Sequence, residues 1–237
     1  MENSDYLASR QQARCRIYAL IAAAFSYPEV EFYQRLSTQQ FLSELESNLK
    51  ALHYGGQIQL SDWAIPSLEE LQEEYIRLFS AGSPCPAYQT EYASPHIFSK
   101  TQTLADISGF YQAFGLEVGS KQRERVDFIG TELEFMSYLC FKAAYALSNG
   151  HRDNFKIVLD AQKKFFRQHL APWGRLYSRQ MAEQARLLLY SVLGNFLSSY
   201  FQFEAEFLEI RLEELSNLSA AHVSEPPLSE TDCSSCF

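Results

Sequence analysis

The stretch RERVDFIGTELEFMSYLCFKAAYAL, residues 123–147, decides the fold class. At 100° per residue, Phe128, Ile129, Leu133, Phe135, Met136, Leu139, Cys140 and Ala143 fall on one half of a helical wheel. Asp127, Thr131, Glu134, Ser137, Tyr138, Lys142 and Tyr145 fill the other half. The spacing predicts a long amphipathic helix over about 123–147, apolar half buried and polar half solvated. Glu132 breaks the pattern, because it lies within the apolar half between Phe128, Phe135 and Met136. An unpaired buried carboxylate costs several kcal/mol. An arginine, a tyrosine hydroxyl or a set of backbone N–H donors is therefore expected to face it, or else it is a perturbed acid in a ligand groove.

Helical spacing continues on both sides of this segment. Leu7, Ile17, Leu20, Ile21 and Phe25 predict a helix over 4–25, stopped by Tyr27-Pro28. A short turn follows over 30–36. Thr38 is placed to cap a second helix through Phe41, Leu42, Leu45, Leu49 and Leu52, ended by Gly55-Gly56. Ser67 and Glu70 form a capping box before Leu71, Tyr75, Leu78 and Phe79. Residues 83–96, with three prolines and two tyrosines, read as an ordered loop. Leu104, Ile107, Tyr111 and Phe114 mark the next helix, closed by Gly115. Downstream, Asp153 is expected to cap a helix through Phe155, Val158, Leu159, Phe165 and Phe166 that ends before Pro172. A last long helix is expected from about 182 to 215, bent at Gly194.

Together these segments predict an all-α protein, a single globular bundle of about eight to ten helices over residues 1–215. Residues 216–237 are polar and aperiodic and read as a disordered tail carrying Cys233 and Cys236 in a Cys-x-x-Cys pair. Ten glycines and eight prolines in 237 residues fall short of the roughly 12% usual in globular chains, which counts against a hairpin-rich β fold. A net charge of −9 disfavours a nucleic-acid partner. The longest strongly apolar run, residues 17–25, is half the length a bilayer requires, so no integral membrane segment is expected. The N-terminus lacks the basic and apolar regions of an export signal, and the spread of Cys15, Cys85 and Cys140 suggests no disulfide framework; both fit the cytoplasm.

Chemistry is sparse along the chain. The five histidines stand apart, with no His-Glu-x-x-His, and no phosphate loop, dinucleotide fingerprint or Gly-x-Ser-x-Gly elbow occurs. No catalytic residue, metal site or cofactor is assigned. One Cys-x-x-Cys pair is half of a four-ligand site.

Several motifs nevertheless form an ordered set: Glu74-Tyr75-Ile76-Arg77-Leu78-Phe79, then Pro86-Ala87-Tyr88-Gln89-Thr90-Glu91-Tyr92, then Tyr111-x-x-x-Gly115-Leu116, then Glu124 to Met136, then His169-Leu170-Ala171-Pro172-Trp173. This set resembles the TorD/DmsD/NarJ family of cytoplasmic chaperones that mature molybdenum-containing oxidoreductases. The resemblance covers roughly residues 74–173. Where that family usually reads Glu-x-Pro-Asp-His, Val126 and Phe128 replace the proline and histidine while Glu124 and Asp127 remain.

The resemblance implies an all-helical fold, no enzymatic activity, and a partner that is the apo catalytic subunit of a molybdoenzyme, its twin-arginine signal peptide, or both, held until the molybdenum cofactor is inserted. Such a peptide offers arginines and then apolar residues, so its receptor needs carboxylates beside aromatic rings. Tyr88, Glu91, Tyr92, Glu124, Asp127, Glu134 and Tyr138 are the candidate contacts. Glu132, Phe135, Met136, His169 and Trp173 are assigned structural roles. The protein is expected to be a monomer or homodimer. A generic helical adaptor, or an enzyme using Glu132 and Asp127, are the competing readings.

Overall fold

The computed structural model describes residues 4–56, 58, 64–80, 82–92, 97–116 and 124–211. Its α-helices are α1 (Ser4–Ala24), α2 (Val30–Ser37), α3 (Gln40–Ala51), α4 (Leu68–Phe79), α5 (Ile97–Ala113), α6 (Ile129–Ser148), α7 (Arg152–Phe165), α8 (Ala171–Gln184) and α9 (Leu188–Phe207). Among the described residues the extended pairing is one isolated bridge between Tyr88 and Phe128. The chain is all-α, as its apolar spacing predicts. None of the described helices is long and apolar enough to cross a membrane. The expected tail, with Cys233 and Cys236, lies outside the described residues.

Helix α6 is the axis of the bundle. It packs against both α1 and α7. The Ser4 hydroxyl donates to the Leu147 carbonyl and the Ser137 hydroxyl to the Cys15 carbonyl, so α1 and α6 run antiparallel. Leu133, Phe135, Met136, Leu139 and Cys140 are all buried, as the wheel requires. A cluster of the Tyr111, Phe135 and Phe165 rings, tilted or edge to face with centroids 4.7 Å apart at both Phe135 contacts, joins α5, α6 and α7.

Local end signals hold where the ending is set by neighbouring residues. Ser67 and Glu70 exchange both bonds of the capping box, at 3.2 Å and 2.7 Å. Gly115, at φ +73°, lets Leu116 N–H return to the Tyr111 carbonyl and close α5. Other endings differ from expectation. Thr38 terminates α2, its hydroxyl donating to the Gln34 carbonyl, and α3 starts from Gln39 with no side-chain cap. His53, not the glycine pair, takes the left-handed position after α3. Asp153 lies in the first turn of α7 and pairs with Lys156; the N-cap is His151.

Two larger differences concern the C-terminal half. The helix expected to end before Pro172 continues through it, by way of a π-helical turn at Phe166–Leu170 in which Ala171 N–H bonds the Phe166 carbonyl five residues back. The wider turn absorbs a proline that cannot donate to an ordinary α ladder. The helix expected over 182–215 is two: α8 ends at Gln184 and α9 begins at Leu188. Gly194 is no bend. A Cβ there would meet the Ser178 carbonyl oxygen at 2.6 Å, so the glycine lets α9 lie against the backbone of α8. Glu74 caps the new helix start, accepting Arg186 N–H at 2.6 Å while Arg77 bonds both its oxygens. Burial alone would raise the Glu74 carboxyl, but these donors hold it below its ordinary value.

A buried polar knot ties α1, α7 and α9 together. Arg14 donates to both Glu204 oxygens, at 2.8 Å and 2.6 Å, and to the side-chain oxygens of Gln11 and Gln162. Tyr18 donates to the same carboxylate at 2.8 Å, and the Phe207 ring covers the guanidinium. Arg14 and Glu204 are both inaccessible to solvent.

Candidate functional site

The loop before α5 is held against the start of α6. Gln89 N–H donates to the Asp127 carbonyl and Ile129 N–H to the Ala87 carbonyl, each at 2.9 Å. Asp127 accepts from Thr90 N–H at 3.0 Å, from the Thr90 hydroxyl at 2.8 Å, and from Arg125 through both oxygens. Arg125 also donates to the Thr90 hydroxyl and lies over the Tyr88 ring at 4.6 Å. Tyr88 in turn donates to Glu124 at 2.7 Å, and burial first, with that bond, pushes its hydroxyl up to about 12.

This geometry corrects the expected position of Asp127. The helix starts at Ile129, not near 123, and Asp127 precedes it, fully buried instead of on a solvated stripe. Its carboxylate fastens the loop and is closed to a partner in this arrangement. The local reason is that Phe128, with ψ 136°, is an extended N-cap whose ring packs on Tyr88. Tyr92 is turned inward too, 5.4 Å from Trp173. Glu91 remains on the surface, 3.5 Å from Lys100 and 3.6 Å from Arg125.

Glu132 is buried as the wheel indicates, but its partner belongs to none of the expected kinds. The Trp173 indole N–H donates to Oε2 at 3.2 Å, and Oε1 meets no donor among the described residues. Burial, reinforced by the Asp127 charge and opposed by the Trp173 bond, pushes the carboxyl well above its ordinary 4.5. Burial without a counter-charge favours the neutral form of this carboxyl. His169 lies between the Phe110 and Phe165 rings, each 5.3 Å away, and burial lowers it to about 4. Phe135 and Met136 are core residues.

Because the folded state keeps the Glu132 proton where the unfolded chain releases it, stability contributed by this group is lost as pH rises above 4.5. Glu132→Gln retains an acceptor for Trp173 and removes that titration. Urea midpoints at pH 5 and pH 8 are expected to show the variant gaining on the wild type at the higher pH; a gap that does not change with pH would mean an ordinary, solvated carboxyl.

An open cleft of about 540 Å³ lies between α1, α2, α4 and α6. Its carboxylates are Glu29, Glu31, Glu124 and Glu134, and its rings include Tyr27, Phe32, Tyr75 and Phe128. Tyr27 and Tyr75 meet edge to face at 5.5 Å. Arg35, the cation on the rim, is tied to Glu44 at 2.9 Å. The cleft thus combines carboxylates that form no ion pair among the described residues with aromatic walls, a setting that accepts a guanidinium and an apolar neighbour.

Of the residues picked from sequence, the fold brings Glu124 and Glu134 into this cleft, with Tyr88 bonded to Glu124. Tyr138, half-buried, continues the face beyond Glu134 and donates to the Phe114 carbonyl. Glu91, Asp127 and Tyr92 are not in it. Sequence reading missed Tyr27, Glu29, Glu31 and Tyr75. The run Tyr27-Pro28-Glu29-Val30-Glu31-Phe32 was legible as a helix stop and the start of a short turn, although acids interleaved with rings were visible there.

The profile of the nitrate reductase delta subunit family matches residues 31–177. The perchlorate reductase assembly chaperone protein of Dechloromonas aromatica (strain RCB) is 25% identical over 211 residues, covering 86% of this chain and 90% of that protein. The chlorate reductase assembly chaperone protein of Ideonella dechloratans is 26% identical over 172 residues, covering 70% and 76%. The selenate reductase assembly chaperone protein of Thauera selenatis is 23% identical over 182 residues, covering 76% and 79%.

Proposed function

We propose, from the premise that the chain belongs to the nitrate reductase delta subunit family, that it is a cytoplasmic assembly chaperone for a molybdenum-containing reductase and not an enzyme. It binds the catalytic subunit of that reductase before the molybdenum cofactor is inserted, and it reads an arginine-bearing, apolar segment of the client such as a twin-arginine signal peptide. The relatives named for reductase assembly support the client class. The observation that carries the mode of recognition is the acidic, aromatic-walled cleft. Four carboxylates in one cleft repel each other and favour a cationic guest.

The test is calorimetric titration with a synthetic peptide of two adjacent arginines followed by ten alanine and leucine residues. Binding should weaken as salt rises, since part of the attraction is between partly exposed charges. Glu29 and Glu31 are both exposed, so Glu29→Gln with Glu31→Gln leaves the fold intact. A guanidinium–carboxylate contact in a half-open cleft contributes about 1 kcal/mol, between the surface and buried values. The double change should weaken binding roughly 30-fold. Equal affinity of the folded double variant and the wild type would remove the cleft as the recognition site.

A further inference from the structure

The outward face of α6 carries aromatic residues that the bundle leaves uncovered. Phe141 and Tyr145 are 55% and 56% exposed, while the apolar residues on the opposite face of the helix are buried. Glu134, Tyr138, Phe141 and Tyr145 follow one another at steps of four, three and four, so they form a single stripe about 16 Å long. Its first member lines the acidic cleft. Other exposed apolar side chains, such as Phe98, Ile157 and Leu188, are scattered on α5, α7 and α9, which is ordinary for a protein surface.

The charges along this face are polarised. Glu29, Glu31, Glu124 and Glu134 stand at the cleft end, where the cation of the lining, Arg35, is paired with Glu44. Farther along, Lys142 sits 5.8 Å from the centre of the Tyr138 ring, so the aromatic end already holds a cation. A guest with its cations in the cleft and its apolar residues on the rings meets complementary surface at both ends. The reverse orientation sets cations beside Lys142 and apolar residues among four carboxylates.

We propose that the α6 stripe of Tyr138, Phe141 and Tyr145 is the apolar subsite of the acidic cleft, and that it fixes the direction of a bound client segment: arginines in the cleft, and the following apolar run laid along α6. This rests on the reading of the cleft as an arginine site. The stripe accommodates about eleven residues of helix or about five of extended chain. Continuity with the cleft and the opposed charges at the two ends identify the occupant as a basic-then-apolar segment.

The experiment compares two synthetic peptides on the full-length protein: two arginines followed by ten alanine and leucine residues, and two arginines followed by glycine and serine. Phe141→Ala with Tyr145→Ala, both exposed, is checked for an unchanged far-UV spectrum. The double variant should bind the first peptide about tenfold more weakly and the glycine–serine peptide with wild-type affinity. If the double variant binds the first peptide like the wild type while Glu29→Gln with Glu31→Gln weakens it, the subsite falls and the cleft stands. Failure of the wild type to bind any arginine peptide overturns cleft and subsite together.

Discussion

Arg14→Met lowers the stability of the fold by about 3–5 kcal/mol, the usual cost of removing one partner of a fully buried ion pair. In a chain of this size that corresponds to roughly 6–20 °C in melting temperature. Methionine keeps much of the aliphatic volume and suits a helix, so packing is not the main loss. What remains is Glu204, inaccessible to solvent, with Tyr18 as its donor and no counter-charge. Gln11 and Gln162 lose the guanidinium donor as well and are left with the 3.2 Å bond between them. Since the knot spans α1, α7 and α9, the loss should be global rather than confined to one helix. Thermal and urea unfolding of the variant check this. A loss below about 1 kcal/mol would show that Glu204 finds water or protonates at little cost.

Asp127→Ala is expected to cost about 2–4 kcal/mol. It leaves the buried Thr90 N–H and hydroxyl without their acceptor, and each such group costs about 1–3 kcal/mol. Arg125 is half exposed and recovers part of its loss by solvation. Asp127→Asn, which keeps an acceptor but loses the charge, should fall between the wild type and Asp127→Ala. Glu91→Gln should change stability by less than about 0.5 kcal/mol, because its cationic neighbours stand at 3.5 Å and 3.6 Å on the surface. Denaturant midpoints for the three variants test the contrast. An unchanged midpoint for Asp127→Ala would return that carboxylate to the solvated face where helical periodicity puts it.

The contrast between Asp127 and Glu132 shows what a helical wheel can and cannot deliver. Both residues were placed by the same 100° rule. For Glu132 the rule held, because it lies inside α6 and its neighbours share one regular backbone. For Asp127 it failed, because the helix had not begun, and where it begins depends on the loop residues Ala87 and Gln89 bonding to its start from some forty residues earlier. Part of the candidate site was legible for the same reason. Glu134 and Tyr138 could be placed from α6 alone, whereas the other walls of the cleft come from α1, α2 and α4.

By itself the sequence determined that the chain is helical, which face of α6 is buried, that Ser67 opens α4 and that Gly115 closes α5. Each of these depends on residues within about one or two turns, where side-chain spacing and capping bonds act directly. Tertiary structure decided the rest. It carried the helix past Pro172 through a π turn, split the last long helical pattern at Ala185–Leu187, and seated α9 against α8 at Gly194. It also joined Arg14 to Glu204 across 190 residues and gathered Glu29, Glu31, Glu124 and Glu134 into one cleft. Periodicity tells a segment which side to bury, but the partner it is buried against is chosen by packing among segments far apart in the chain.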